Sequence, residues 1–122
     1  MFRRSKRLWL WGAMLAGLLG AAAAAAQDLP PPGDCTTEQH RTLQNAVDAA
    51  CSVPRSCDAS QSCATLQVNY DQLIACATAR DTINNTCFRG GNTGHREAAR
   101  NERNGAQRCS AIMVAKKCKD CP

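Results

Sequence analysis

Aromatic residues are scarce in this sequence, and most of them lie in an N-terminal segment that we expect the mature protein to lose. The chain has two Trp, one Tyr and two Phe in 122 residues, and only Tyr70 and Phe88 follow residue 27. Leu, Ile, Val and Phe together number 12 in residues 27–122. So few large apolar side chains exclude a large hydrophobic core. Without another source of stability, such a composition is typical of disordered chains.

The N-terminal segment has the three parts of a secretory signal peptide. MFRRSKR carries the basic residues, LWLWGAMLAGLLG is apolar, and an alanine run leads to Gln27. A retained membrane anchor is the alternative, because roughly 19 apolar residues can span a bilayer. We expect residues 1–26 to be cleaved, which predicts a secreted or periplasmic protein without stable membrane insertion. Residues 27–34 then form a flexible leader, and residues 35–122 form one cysteine-rich helical domain.

A strong excess of one charge is also absent once the signal peptide is removed. Residues 27–122 contain 11 Lys and Arg against 10 Asp and Glu. The two halves differ, however: residues 27–88 have three basic and seven acidic residues, whereas residues 89–122 have eight basic and three acidic. The composition therefore argues against a basic protein overall and assigns the basic character to the C-terminal segment.

Cysteine is the residue type that the sequence has in excess, with nine in all and every one after residue 34. Disulfides stabilise small exported domains that lack a sufficient core, so we expect about four of them. Cys118 and Cys121 have C-x-x-C spacing, but thioredoxin-type redox chemistry uses that motif at a helix N-terminus in a βαβ unit. A zinc site needs more ligands than this pair and two histidines readily supply. We therefore expect no metal and no cofactor.

Apolar residues recur at steps of three and four, which predicts an all-α fold. The pattern predicts a long antiparallel helical hairpin, about 65–88 and 95–118, with a shorter helix, about 37–50, packed against it. Gly90 and Gly91 separate the two long helices. Gly105 interrupts the last helix at a cost of about 1 kcal/mol against alanine, where a small side chain favours close packing of two helices.

Helix geometry limits the disulfide pairing, because bridged Cα atoms lie within about 7 Å. At about 1.5 Å per residue, cysteines far apart on one helix cannot pair. If the long helices are antiparallel, residues whose numbers sum to about 183 lie level with one another. This register predicts the pairs Cys63–Cys118 and Cys76–Cys109. Antiparallel packing of the first helix on the second predicts Cys35–Cys87 and leaves Cys51 to pair with Cys57 across a short loop, with Cys121 unpaired.

The glycine-rich segment from Arg89 to Arg96, RGGNTGHR, is the strongest candidate for a functional site. Glycine-rich backbone before a helix presents N–H groups and the positive end of the helix dipole to an anion. The residues predicted to bind an anion are Arg89, Gly91, Asn92, Arg96 and Arg100. His95 is placed to act as a general base, which the helix N-terminus favours in its neutral form, with Glu97 or another carboxylate as its partner.

A purely structural interpretation explains the same residues. Gly90 and Gly91 are suited to end a helix, Asn92 or Thr93 to cap the next one, and an arginine stripe is usually a solvated face. His40 falls near the start of the first helix, where a surface or capping role is expected. It supplies a second imidazole to the turn only if that helix packs nearby.

The order of the cysteines from Cys35 to Cys118, with AARDTINNTCFRGGNTGHREAA between them, resembles the Novel toxin 16 family. Its members are cysteine-rich, mostly helical domains, usually at the C-terminus of bacterial polymorphic toxins. The resemblance covers about residues 34–118 and is most specific from Cys87 to Arg96. Family members often carry aspartate where this chain has Asn92. The resemblance implies a toxin-like domain that here follows a signal peptide directly.

Two functional hypotheses follow from these features. The first is a secreted toxin-like domain, specifically a nuclease acting through the glycine turn and His95. The second is a non-catalytic periplasmic or extracellular disulfide-rich binding protein that presents a basic face to an anionic partner. An immunity protein is the expected partner of the toxin, and nucleic acid is the expected anionic ligand of either.

Overall fold

The computed structural model describes residues 28–119, which form three helices and confirm the all-α prediction. The predicted signal peptide, its alternative as an anchor, and Cys121 lie outside the described residues. Between residues 28 and 119, no helix is long and apolar enough to cross a membrane. The helices are α1 (Thr37–Cys51), α2 (Cys63–Phe88) and α3 (Thr93–Ala115).

Side-chain caps define the N-terminus of each helix. The Thr36 side chain accepts a hydrogen bond from the Gln39 N–H, and the Gln39 side-chain oxygen accepts one from the Thr36 N–H. Ser62 accepts from the Thr65 N–H and starts α2 two residues before the predicted position. Asn92 accepts from the His95 N–H in the same way, which also starts α3 two residues early. A cap of this kind satisfies an N–H that the helix itself leaves unpaired.

The last helix ends at Ala115, three residues before the predicted end. Lys117 has a left-handed backbone conformation with φ of 57°. The Cys118 N–H then donates to the Met113 carbonyl and the Lys117 N–H to the Val114 carbonyl. This pair of bonds is a Schellman motif, which closes a helix by satisfying its last carbonyls. Cys118 therefore lies beyond the helix.

The small core is divided into two clusters at opposite ends of the hairpin. The turn-end cluster lies between α1 and α2, and the open-end cluster lies between α2 and α3. The turn-end cluster consists of Cys35, Val47, Ile83, Cys87 and Phe88. The open-end cluster consists of Leu66, Leu73, Ala106, Cys109 and Met113. At Gly105, an added Cβ would lie 3.1 Å from the Leu73 side chain, so a glycine permits the close packing of α2 and α3.

Four disulfides join the three helices and the loop between α1 and α2. They are Cys35–Cys87, Cys51–Cys76, Cys57–Cys109 and Cys63–Cys118. The first and last are pairs that antiparallel packing of the helices predicts.

The predicted pairs Cys51–Cys57 and Cys76–Cys109 are wrong. Cys76 of α2 bonds to Cys51 at the end of α1, so its side chain points toward α1 and not toward Cys109 of α3. The α1–α2 loop brings Cys57 to Cys109 instead. The antiparallel register predicts how far along the helix axis each cysteine lies, but it does not predict the direction in which the side chain points.

Candidate functional site

The backbone of the glycine turn is held by hydrogen bonds within the chain. Arg89 and Gly90 both have positive φ, of 53° and 74°. The Gly90 N–H donates to the carbonyl of Asn84, and the Gly91 N–H donates to the carbonyl of Phe88. The Asn92 N–H donates to the side-chain oxygen of Asn84, which is 4 % exposed. Gly91 and Asn92, both predicted to bind an anion, therefore have structural roles in the turn.

The leader brings two carboxylates to the same turn. Asp28 accepts hydrogen bonds from the backbone N–H and the hydroxyl of Thr93, at 2.8 and 3.2 Å. Asp34 binds both the Nε and an Nη of Arg89, at 2.7 and 3.1 Å. Hydrogen bonding to Asp34 raises the pKa of Arg89 above its ordinary value. Arg89, which was predicted to bind an external anion, thus already has an anionic partner from the chain itself, and the Thr93 N–H at the start of α3 has another.

His95 follows the glycine turn in the chain and is the third residue of α3. Its ring centre is 6.0 Å from that of Phe88, and its Nδ1 is buried without a hydrogen-bond partner. Burial lowers the pKa of His95, and the charges of Arg80 and His40 lower it further. Each of these effects disfavours the imidazolium. At neutral pH His95 is therefore a neutral imidazole, the form that accepts a proton.

His40 is the second histidine whose ring contacts Phe88. It is the fourth residue of α1, and its ring packs edge-on against Phe88, with ring centres 5.9 Å apart and planes at 87°. The Cys35–Cys87 disulfide holds the start of α1 against the end of α2. Capping of α1 is performed by Thr36, so His40 is not a capping residue.

Arg80 of α2 lies close to His95, and no sequence pattern assigned it a function. Its Nε is buried and has no hydrogen-bond partner, and its charge lowers the pKa of both His95 and Glu102. Arg55 is the direct partner of Glu102, through bonds of 2.7 and 2.8 Å. The available signal was that Arg80 occupies an inward position in the apolar repeat of α2. A charged residue at such a position needs a partner.

The remaining predicted site residues lie on the outside of α3. Glu97 is exposed, and residues two apart on a helix do not face each other, so Glu97 does not point with His95. Arg96 and Arg100 are exposed as well. Arg103 forms the arginine stripe of α3 together with Arg96 and Arg100, and it is bound to Asp81 of α2.

The site consists of His40 and His95, whose rings both pack on Phe88, and of Arg80, whose charge acts on His95; we call it the two-histidine site. Each helix contributes one of the three polar side chains. A neutral imidazole can move protons, and a guanidinium stabilises negative charge on a phosphate. In the described part of the chain, no group of three or more His, Cys, Asp or Glu side chains is arranged to hold a metal ion.

Comparison with known proteins gives one match. No curated protein and no solved structure matches the chain significantly. A model of the Novel toxin 16 family matches residues 31–112, a span that includes all three helices almost to the end of α3 and contains His40, Arg80 and His95. Because this span is more than half of the 122-residue chain, the protein belongs to the Novel toxin 16 family.

Proposed function

We propose that this toxin-family domain cleaves phosphodiester bonds of nucleic acid, with His95 as the general base and Arg80 as the cation that stabilises the phosphate. The observation that carries the proposal is the pair of buried, unpartnered nitrogens, Nδ1 of His95 and Nε of Arg80. Buried polar groups are nearly always hydrogen-bonded, and a catalytic role is one of the explanations for an exception. The donors of the turn, in contrast, are used by the chain itself.

The protonation state of His95 suits this role. Its pKa lies below the ordinary value of 6.5, so the neutral base predominates at pH 7. Because Nδ1 is buried, we assign proton abstraction to the Nε2 atom. Activity should rise with pH as His95 loses its proton, with a midpoint below 6.5.

We further propose that the protein is secreted and that it binds an immunity protein. Four disulfides require an oxidising environment for their formation. A secreted domain that cleaves nucleic acid also needs a means of protecting the producing cell. An immunity protein that covers the two-histidine site would supply that protection.

The test is cleavage of RNA and DNA by the purified, oxidised protein. Exchange of His95 for alanine should lower the cleavage rate at least about 100-fold, since general acid–base catalysis contributes about that much. Asn104→Ala, at an exposed position of the same helix, is the matched control and should retain the wild-type rate. Equal cleavage by the wild type and His95→Ala contradicts the proposal.

A Glu97→Gln variant tests whether the carboxylate expected from the sequence assists His95. Glu97 is exposed, so Glu97→Gln should keep most of the activity, whereas Arg80→Met should lose it. If Glu97 is the partner of His95, Glu97→Gln loses activity as well. That outcome keeps His95 as the base and Arg80 as the cation, and adds a carboxylate to the site.

The second candidate function is non-catalytic binding of an anionic partner. It is favoured by the exposure of Arg96 and Arg100 on α3. Binding through phosphate contacts weakens steeply with salt, so Arg96→Gln with Arg100→Gln should weaken binding and reduce its salt dependence. Retention of nucleic acid without any cleavage would favour this function over the nuclease.

A further inference from the structure

The two-histidine site contains two imidazoles that come from different helices. His40 is in the first turn of α1 and His95 in the first turn of α3, and both rings pack on Phe88 at centre-to-centre distances of 5.9 and 6.0 Å. The two rings are therefore no farther apart than the sum of these distances. Because α1 and α3 both run antiparallel to α2, their positive N-terminal ends lie on the same side of the molecule. Helix N-termini favour a bound anion.

The surroundings of the two imidazoles differ. His95 is the more constrained, with a buried Nδ1 and with Arg80 of α2 close to it. Pairs of titratable groups in different environments are how enzymes assign one group as the base and another as the acid. The charged group that acts on His95 is Arg80 from α2, whereas Arg89 and Asp34 of the turn are bound to each other.

We propose that His40 is the general acid of this site and that the substrate is RNA, whose own 2′-hydroxyl supplies the nucleophile. This inference rests on the proposed nuclease function and narrows it. Two acid–base groups beside a cation can cleave RNA without a nucleophile from the protein. DNA lacks the 2′-hydroxyl and therefore gives no such reaction.

The proposed step is a transphosphorylation. Nε2 of His95 accepts the proton of the 2′-hydroxyl, and the 2′-oxygen forms a bond to phosphorus. The bond between phosphorus and the 5′-oxygen breaks, and protonated His40 gives its proton to that oxygen. The products are a 2′,3′-cyclic phosphate and a 5′-hydroxyl. His95 is then protonated and His40 neutral, and proton exchange with water restores both.

The first test compares substrates for the oxidised full chain. An RNA oligonucleotide should be cleaved to a 2′,3′-cyclic phosphate end, which mass spectrometry identifies. The same oligonucleotide with a 2′-deoxy sugar at the cleavage position should be resistant, as should DNA. If DNA is cleaved as fast as RNA in a reaction that still requires His95, this inference is wrong and the proposed function stands. If the wild type cleaves neither, both are wrong.

The second test separates an acid from a merely structural residue. His40→Ala should lower cleavage of RNA about 100-fold, whereas Asn45→Ala, exposed on the same helix, should not. An RNA with sulfur in place of the 5′-bridging oxygen has a leaving group that needs no protonation. This substrate should restore His40→Ala to within about tenfold of wild type, because only the acid step is bypassed, and should not restore His95→Ala. A His40→Ala variant that stays equally defective on both substrates overturns the assignment.

Discussion

The two ends of the helical hairpin have opposite characters. At the open end, aliphatic side chains pack around Cys109, and two disulfides, Cys57–Cys109 and Cys63–Cys118, surround them. At the turn end, one disulfide, Cys35–Cys87, lies beside Phe88 and the two histidines. The open end therefore has the features of a stabilising core. The turn end combines a core of the same number of buried residues with polar groups that can transfer protons.

Arg55 and Arg80, whose charges both act on Glu102, show the same contrast. Arg55 binds both oxygens of Glu102 and also donates to the carbonyls of Cys51 and Val53. Arg80, on the side of His95, has a buried Nε without a partner. A buried group with hydrogen-bond partners, such as Arg55, stabilises a fold, whereas a buried group without them reduces stability. The unpartnered Nε of Arg80 is therefore more easily explained by function than by stability.

The largest effect is expected from removing one disulfide at each end. Cys35–Cys87 and Cys57–Cys109 each span a sequence separation of 52 residues, so their loop entropies are matched. Each double alanine variant should lose about 4 kcal/mol of unfolding free energy, measured by urea denaturation of the oxidised protein.

The two variants should nevertheless differ at the histidines. Loss of Cys35–Cys87 releases the start of α1, and with it His40, from Phe88. The NMR titration of the His95 ring, whose pKa His40 helps to lower, should change in that variant and stay at its wild-type value without Cys57–Cys109. If both variants shift this titration equally, the ends are not independent and the contrast between them fails.

A smaller effect should separate the two arginines. Arg55→Met leaves Glu102, whose side chain is 14 % exposed, without its main partner, and should cost about 2 kcal/mol. Arg80→Met should cost less than about 1 kcal/mol, because it removes a group with an unsatisfied donor. It should also raise the pKa of His95, since a nearby positive charge is lost. Urea denaturation and NMR titration measure the two effects, and equal stability losses would contradict the distinction.

The sequence predicted the helices well because the apolar repeat continues through each of them. Boundaries were less certain, since they depend on single caps: α3 starts early because Asn92 and not a later residue caps it. Two disulfides were predicted correctly, Cys63–Cys118 from the register of the hairpin and Cys35–Cys87 from antiparallel packing of α1 on α2. The pairing of Cys76 required the direction in which it points from α2, and this depends on how α1 packs.

The candidate site was predicted only in part. The position of His95 before a helical run identified it as a potential base. His40 and Arg80 lie 55 and 15 residues earlier in the chain, and their relation to His95 arises only when the three helices pack. The leader was expected to be flexible, yet Asp28 and Asp34 contact the turn. Short motifs do not encode contacts of this kind.

The smallest effect concerns how the leader closes the turn end. Asp28→Asn removes the negative charge at the N-terminus of α3 but keeps an oxygen that can accept from Thr93. The loss should be about 0.5 kcal/mol, typical of a charge at a helix terminus, and should shrink in 1 M salt because screening weakens it. Hydrogen exchange of the Thr93 amide should quicken while that of Met113, at the open end, stays unchanged. Unaltered exchange at Thr93 would mean that Asp28 does not hold the start of α3 in solution, and would leave the Thr93 N–H available to an external anion, while the N–H groups of Gly90, Gly91 and Asn92 stay bound within the turn.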